Sequence, residues 1–411
     1  MDRMSIAVDA FARTDLYGTS NRYRLAAVLA CLGLIGGITL PLKPAFAAST
    51  VYFAGFALRG AAVALKQRFP YSYEIATENT NGVNHIDAIL RNNLASFSSP
   101  KFNLSLTGLG ALTSGQSTSV AFVLNRETIG QEQIANIHKL YIQLSGSVLF
   151  FDFHGMKVEA SYPVSVEYVD AFNSPPTTEQ ISQDVRELYF GHTSINILQQ
   201  YQRVLQHANL GATGGNTLRL TAIKILPNAM AHFPPFLRSN PAEAEEYVAQ
   251  TFDKALVGNQ RVAVLPYVED AAIGNTMALR FASGRVYSLS IPSSDYDINL
   301  TISAFRRFQF RKTTFANGWV YAVYGHIKIF EPLSNTIYLN DAFRDGVAKI
   351  IPDNEQNFTS WPVYQDAMLT LFNHATKALS NPKSVWAEKA SNNPEIAEEL
   401  QKVKDLLQSC R

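Results

Sequence analysis

The segments His138-Lys-Leu-Tyr-Ile-Gln-Leu-Ser-Gly-Ser-Val-Leu-Phe-Phe-Asp-Phe153 and Lys157-Val-Glu-Ala-Ser-Tyr-Pro-Val-Ser-Val-Glu-Tyr-Val-Asp-Ala-Phe172 are separated by a short linker containing His154-Gly155. Both are rich in β-branched and aromatic residues, and a short glycine-containing turn joins them, so they read as one long β-hairpin. Upstream, Phe102, Leu104 and Leu106 alternate with polar residues, as do parts of Ser119 to Leu124, and Thr50 to Phe56 reads as a short buried strand. Helical spacing covers Leu58 to Phe69 and Ile86 to Leu94 before this β region, and Thr177 to Leu188 and Ile195 to Ala208 after it.

Glycine and proline clusters break the chain at Gly211 to Gly215 and Phe233 to Pro241, with one alternating strand, Thr217 to Leu226, between them. Asn240-Pro241 with Glu243 opens a helix to Val257. Arg261-Val-Ala-Val-Leu-Pro-Tyr267 follows as a buried strand. Tyr296 to Phe305 and Trp319 to Phe330 then alternate, Thr336 to Leu339 adds a shorter strand, and Tyr364 to Leu379 closes as a helix. The expected fold is α+β, with two similar domains, each a mainly antiparallel sheet packed with helices. The boundaries are 48–212 for the first domain, 213–240 for a linker with one strand, 241–381 for the second domain, and 382–411 for a tether and an amphipathic helix. The halves match at Val51–Phe56 with Val262–Tyr267, at Gly146 with Gly325, and at Asp170-Ala-Phe172 with Asp341-Ala-Phe343.

The order of strand, helix, β-meander and closing helix resembles the periplasmic α/β domain of curli-type secretion channels and the amino-terminal domain of the Tol system's translocation protein. The residues that carry the resemblance are Arg261 to Tyr267 and the Gly325 strand leading to Asp341. It implies a role in envelope assembly by analogy.

Export is expected from the amino terminus. Arg22 and Arg24 precede an uncharged run from Leu25 to Leu40, and Ala45-Phe46-Ala47 supplies the small residues of a cleavage site, so 1–47 reads as a signal peptide. A retained anchor fits less well, because the run is short, carries three glycines and meets Pro41 and Pro44. Val28-Leu-Ala-Cys31 is a poor lipobox, with more apolar sequence beyond the cysteine. No uncharged run long enough to span a membrane recurs after residue 47. The signal removes five basic and three acidic residues from 35 and 34, leaving 30 against 31, which disfavours nucleic acid as a partner. The mature chain keeps only Cys410, so neither an intrachain disulfide nor a cysteine zinc cluster is available.

Chemical motifs stop short of completion. Ser98-Ser-Pro-Lys101 and Ser380-Asn-Pro-Lys383 match S-x-x-K, but a proline interrupts the helical turn that the chemistry needs. The eight histidines never stand in metal-ligand spacing, and Asp295-Tyr-Asp-Ile-Asn299 has the alternation of a strand rather than a calcium loop. Gly108-Leu-Gly110 lacks the rest of a dinucleotide loop. No cofactor and no metal are therefore expected. Asp152 and His154, at one hairpin end, are the candidate catalytic pair. In the carboxy-terminal helix, placed at 394–408, Ile396, Leu400, Val403 and Leu407 form an apolar stripe. It either packs on the parent domain or pairs with another chain, so these four residues are the partner-binding candidates, toward other envelope proteins or a second copy. The functional expectation is an exported protein, periplasmic or extracellular, with a non-enzymatic scaffold, assembly or secretion-associated role. The alternative is a periplasmic hydrolase with its site near Asp152 and His154.

Overall fold

The computed structural model describes residues 49–410 apart from 81, 108, 110–117, 192–195, 211–214, 269–274, 354 and 356–358. The signal segment 1–47, Gly108 and Gly110, and the break at 211–214 lie outside the described residues.

Phe53, Phe56, Val120, Phe122 and Leu124 are fully buried, and so are Ala57, Ala121 and Val123 on the opposite faces of the same strands. Burial on both faces explains why these stretches read as apolar runs rather than alternations. They belong to β1 (Ser49–Arg59) and β5 (Thr118–Ile134), which pair in parallel. Between them come α1 (Leu65–Arg68), α2 (Ser72–Thr77), the small ladder of β2 (Asn79–Thr80) and β3 (Val83–Asn84), α3 (His85–Leu94) and β4 (Phe102–Ser105). The expected helix over Leu58 to Phe69 is corrected. Strand pairing continues to Arg59, and only one turn at Leu65–Arg68 is helical. β5 runs antiparallel to β6 (Ile137–Asp152), and β6 to β7 (Lys157–Phe172), so the long hairpin forms as expected. Helices α4 (Thr178–Phe190) and α5 (Ile197–His207) then cover one face, burying Tyr189 and Tyr201 against Phe56 and Phe122.

The second sheet begins with β8 (Leu218–Ile225), from the stretch expected to be a linker. The short turns α6 (Pro227–Met230) and α7 (Pro235–Arg238) lead to α8 (Pro241–Gln260). Asn240 makes no side-chain cap there, but Pro241 does occupy the first turn. β9 (Thr276–Phe281) and β10 (Val286–Ser290) come from the expected second domain but join the first sheet, whose order is β4-β1-β5-β6-β7-β10-β9. β9 also pairs with Ala57–Arg59 of β1, so the sheet closes on itself at that end. Ala57, Ala121, Val123, Leu149, Phe151, Met277, Leu279 and Leu289 fill the closed part.

β11 (Tyr296–Lys312), β12 (Ala316–Glu331) and β13 (Thr336–Pro352) complete the second sheet, in the order β13-β12-β11-β8, with β8 parallel to β11. β13 is far longer than the strand expected at Thr336 to Leu339. Helices α9 (Trp361–Ala378), α10 (Val385–Ala390) and α11 (Ile396–Ser409) follow. The segment expected as a tether therefore holds α10, capped by Ser384, with Ala387 and Ala390 buried.

Val262–Tyr267 is buried but does not take the place of Val51–Phe56. It makes two isolated bridges, Val264 to Ser161 of β7 and Leu265 to Arg219 of β8, and so links the two sheets. The strand parallel to β11 is β8. Gly146 and Gly325 do hold equivalent register, since each faces the residue just before a bulge, Leu124 in β5 and Ile302 in β11. A Cβ at Gly146 would lie 2.6 Å from the Val123 carbonyl, so the strands approach too closely there for a side chain. Asp170 and Asp341 do not correspond. Residues Val164 and Phe343 face the two glycines, and Asp170 falls six positions after the first while Asp341 falls two before the second.

Helix α8 lies between the sheets and carries Glu246, 1% exposed, into three guanidinium groups. Arg126 Nε donates to its Oε2 at 2.7 Å, Arg68 Nη2 donates to the same oxygen at 2.9 Å, and Arg59 pairs with its Oε1. Arg126 also meets Glu243 at 2.7 Å. Burial alone would raise the Glu246 carboxyl, but the three arginines outweigh it and hold the group down at about 2.

Candidate functional site

Asp152 and His154 are brought together, but in the geometry of a turn. The His154 backbone N–H donates to Asp152 Oδ1 at 3.0 Å, and the imidazole itself is exposed. That is an Asx-type turn closing the hairpin. The four stripe residues of α11 follow the first of the two expected alternatives, packing on the parent domain. Ile396, Leu400, Val403 and Leu407 are all buried in the core that α11 shares with the second sheet. The apolar face needed cover, and its own chain supplies it.

A cleft of about 710 Å³ lies between α2–α3 and the β9–β10 turn. Its polar groups already hold the fold. Asp87 accepts the Phe56 N–H at 2.7 Å beside Gly55, whose φ of +106° and close carboxylate leave no room for a Cβ. Burial pushes the Asp87 carboxyl up, partly offset by that N–H and by Arg91. Asn84 caps α3 and binds the Ala76 carbonyl, and Arg91 donates to the Leu106 carbonyl. An Asp–His pair not singled out in the sequence, Asp345 and His374 at 2.7 Å, also receives Trp386 Nε1 at 2.8 Å and ties α9 and α10 to β13. No group of three or more His, Cys, Asp or Glu converges among the described residues in a way that could hold a metal. No helix among them is long and apolar enough to cross a membrane.

A further surface lies at the free end of the second sheet. β11 runs on past Phe305, and every residue from Arg306 to Lys312 is exposed. With the start of β12 and the end of β13 it forms a three-stranded tongue extending beyond the helix-covered core. Phe308, Phe310, Phe315 and Ile350 are 48%, 56%, 83% and 63% exposed. Arg306-Arg307 and Arg311-Lys312 flank Phe308 and Phe310, and no acidic residue occurs between Phe305 and Trp319. No ion pair among the described residues engages these cations. Arg307 instead lies over the Trp319 ring at 4.3 Å and Arg306 over Tyr324 at 5.4 Å.

The tongue is built rather than frayed. Thr313 closes its end, its N–H donating to the Ala316 carbonyl at 3.0 Å and its hydroxyl accepting from the Ala316 N–H at 3.0 Å. The Asp353 N–H donates to the Phe315 carbonyl at 3.1 Å, and Gln309 donates to Asn317 at 2.8 Å. A bulge at Phe310 lays its ring over Gly318. Exposed aromatic side chains on an ordered strand end, with cations beside them that make no ion pair among the described residues, are suited to binding a surface. The signal legible in sequence is the run Phe305-Arg-Arg-Phe-Gln-Phe-Arg-Lys312, in which aromatic residues bracketed by basic pairs continue the strand.

No protein-family model and no curated protein matches the chain. Among solved structures, it is similar to the crystal structure of protein XCC0632 from Xanthomonas campestris, described as family-model DUF330. That match has 8% identity and a TM-score of 0.21, and covers 43% of this chain and 91% of that one, a likeness that carries no argument about fold or function.

Proposed function

We propose that the chain is an exported, non-enzymatic protein of the cell envelope, periplasmic or extracellular, with a scaffold, assembly or secretion-associated role exercised through the tongue. The carrying observation is that Phe308, Phe310, Phe315 and Ile350 are held exposed on an ordered strand end. The signal-like segment 1–47 supports export. The same reading takes the halves as repeats, supported by β1 and β8 each running parallel to the first strand of a three-strand meander and by Gly146 and Gly325 facing matched bulges. The resemblance to curli-type and Tol domains belongs with it as analogy.

A photo-crosslinking amino acid at Phe315, in cells making the full chain, tests the contact, and intact mass of the recovered protein tests export. Adducts to protein or lipid, on a chain beginning at Ala48, are expected. A crosslinker that reacts with water alone, or a soluble chain still carrying Met1 to Ala47, would overturn the proposal.

A further inference from the structure

We propose that the tongue seats on the surface of a bilayer containing anionic phospholipid, an inference that rests on the tongue being the working contact surface. Phe308 faces Val320, and Phe310 lies over Gly318, two positions along β12 and therefore on the same face, together with Ile350. Trp319 and Ile351, on the opposite face, pack against the core, and Phe315 stands at the end. The exposed apolar groups of the tongue therefore gather on one face and at the tip, where they can dip into an apolar medium while basic side chains stay at its surface.

Charge points the same way. Arg311 and Lys312 sit next to the tip and Arg306 and Arg307 behind it, with Lys349 exposed on the neighbouring strand; these five cations outnumber the Asp353 carboxylate at the same end, which accepts from the Asn317 amide. Long basic side chains can lay their stems along apolar surface while their heads reach anionic headgroups. Seating to a depth of roughly 5–10 Å takes in about two or three residues of strand behind Phe315, as far as the Gly318–Ile350 pair.

The test is co-sedimentation of the full chain with vesicles of phosphatidylcholine containing phosphatidylglycerol, with pure phosphatidylcholine for comparison. The native protein should bind the anionic vesicles at least tenfold better, and less tightly as salt rises. The doubles Phe310→Ser with Phe315→Ser, and Arg311→Glu with Lys312→Glu, should each lower binding tenfold or more while melting as the native chain does. Residues 25–40 are common to all variants, so differences between variants report the tongue. Amide exchange across 308–318 should slow when anionic vesicles are added. Unchanged exchange there, or equal binding by native and variant chains, would overturn the inference. Adducts to protein alone from the Phe315 crosslinker would do the same while leaving the proposed contact function standing.

Discussion

Replacing Glu246 by Gln should destabilise the protein by several kcal/mol, because the substitution keeps the shape and removes the only nearly fully buried anion among three guanidiniums. Two routes give the size. The carboxyl is held at about 2, against roughly 4.3 when unfolded, a difference worth ~3 kcal/mol. Removing one partner of a buried ionic cluster costs about 3–5 kcal/mol. Arg59 and Arg126 cannot retreat to water, as they are 8% and 9% exposed, and Glu243, which is 30% exposed, meets only Arg126. For a cooperative chain of this length the loss is a fall in Tm of about 5 °C, measured by calorimetry at pH 7. The sign with pH is definite. A carboxyl depressed by folding stabilises fully above its unfolded value and stops doing so as pH falls through its folded value. The gap between native and Glu246→Gln chains should therefore hold at pH 6–7 and close between about pH 4.3 and 2. A variant that melts within a degree of native at pH 7, or a gap that widens on acidification, would refute the reasoning.

Leu400→Asp should lower stability by ~4 kcal/mol or more, since the site is fully buried, and leave the mass in solution unchanged; dissociation of an oligomer by light scattering would instead restore the partner reading of α11. Asp253 is pushed up to about 8, mainly by burial and against the pull of Arg219, and its Oδ1 has no hydrogen-bond partner among the described residues. Its contribution is full below about pH 4 and declines as pH rises to 8, so Asp253→Asn should match native near pH 4 and melt higher at pH 8.

Where a strand had one wet face or a tight turn, its pattern was readable, as in the β6–β7 hairpin and β8. Where ionic or backbone partners bury polar residues, it was not. β5 continues to Ile134 because Arg126 meets Glu246, and because Glu127 accepts the N–H groups of Tyr71 at 3.0 Å and Ser72 at 2.6 Å. Neither partner is near in sequence, so Arg126 and Glu127 look like the start of a loop. The tongue failed to register for the opposite reason. With both faces exposed, Arg306 to Lys312 show no apolar–polar alternation, and only the aromatic residues between basic pairs mark the strand. Asp152 and His154 were correctly placed at a hairpin end, but residue type alone could not separate an Asx turn from a catalytic pair. The α11 stripe was legible as something buried, and which surface covers it is settled by the route of the chain around α10.

The closure of the first sheet by β9 has a kinetic consequence. Leu58 of β1 waits for Arg280 of β9, about 220 positions later, before the first sheet can close. At synthesis rates of about 5–20 residues per second, the edge of β1 and the apolar interior around Val123 and Phe151 stay open for on the order of ten to forty seconds. Such an interval exposes strand edges to pairing with other chains. For a chain threaded through a translocation pore, the amino-terminal half would arrive first and incomplete, so protection against aggregation at that stage must come from something other than its own fold.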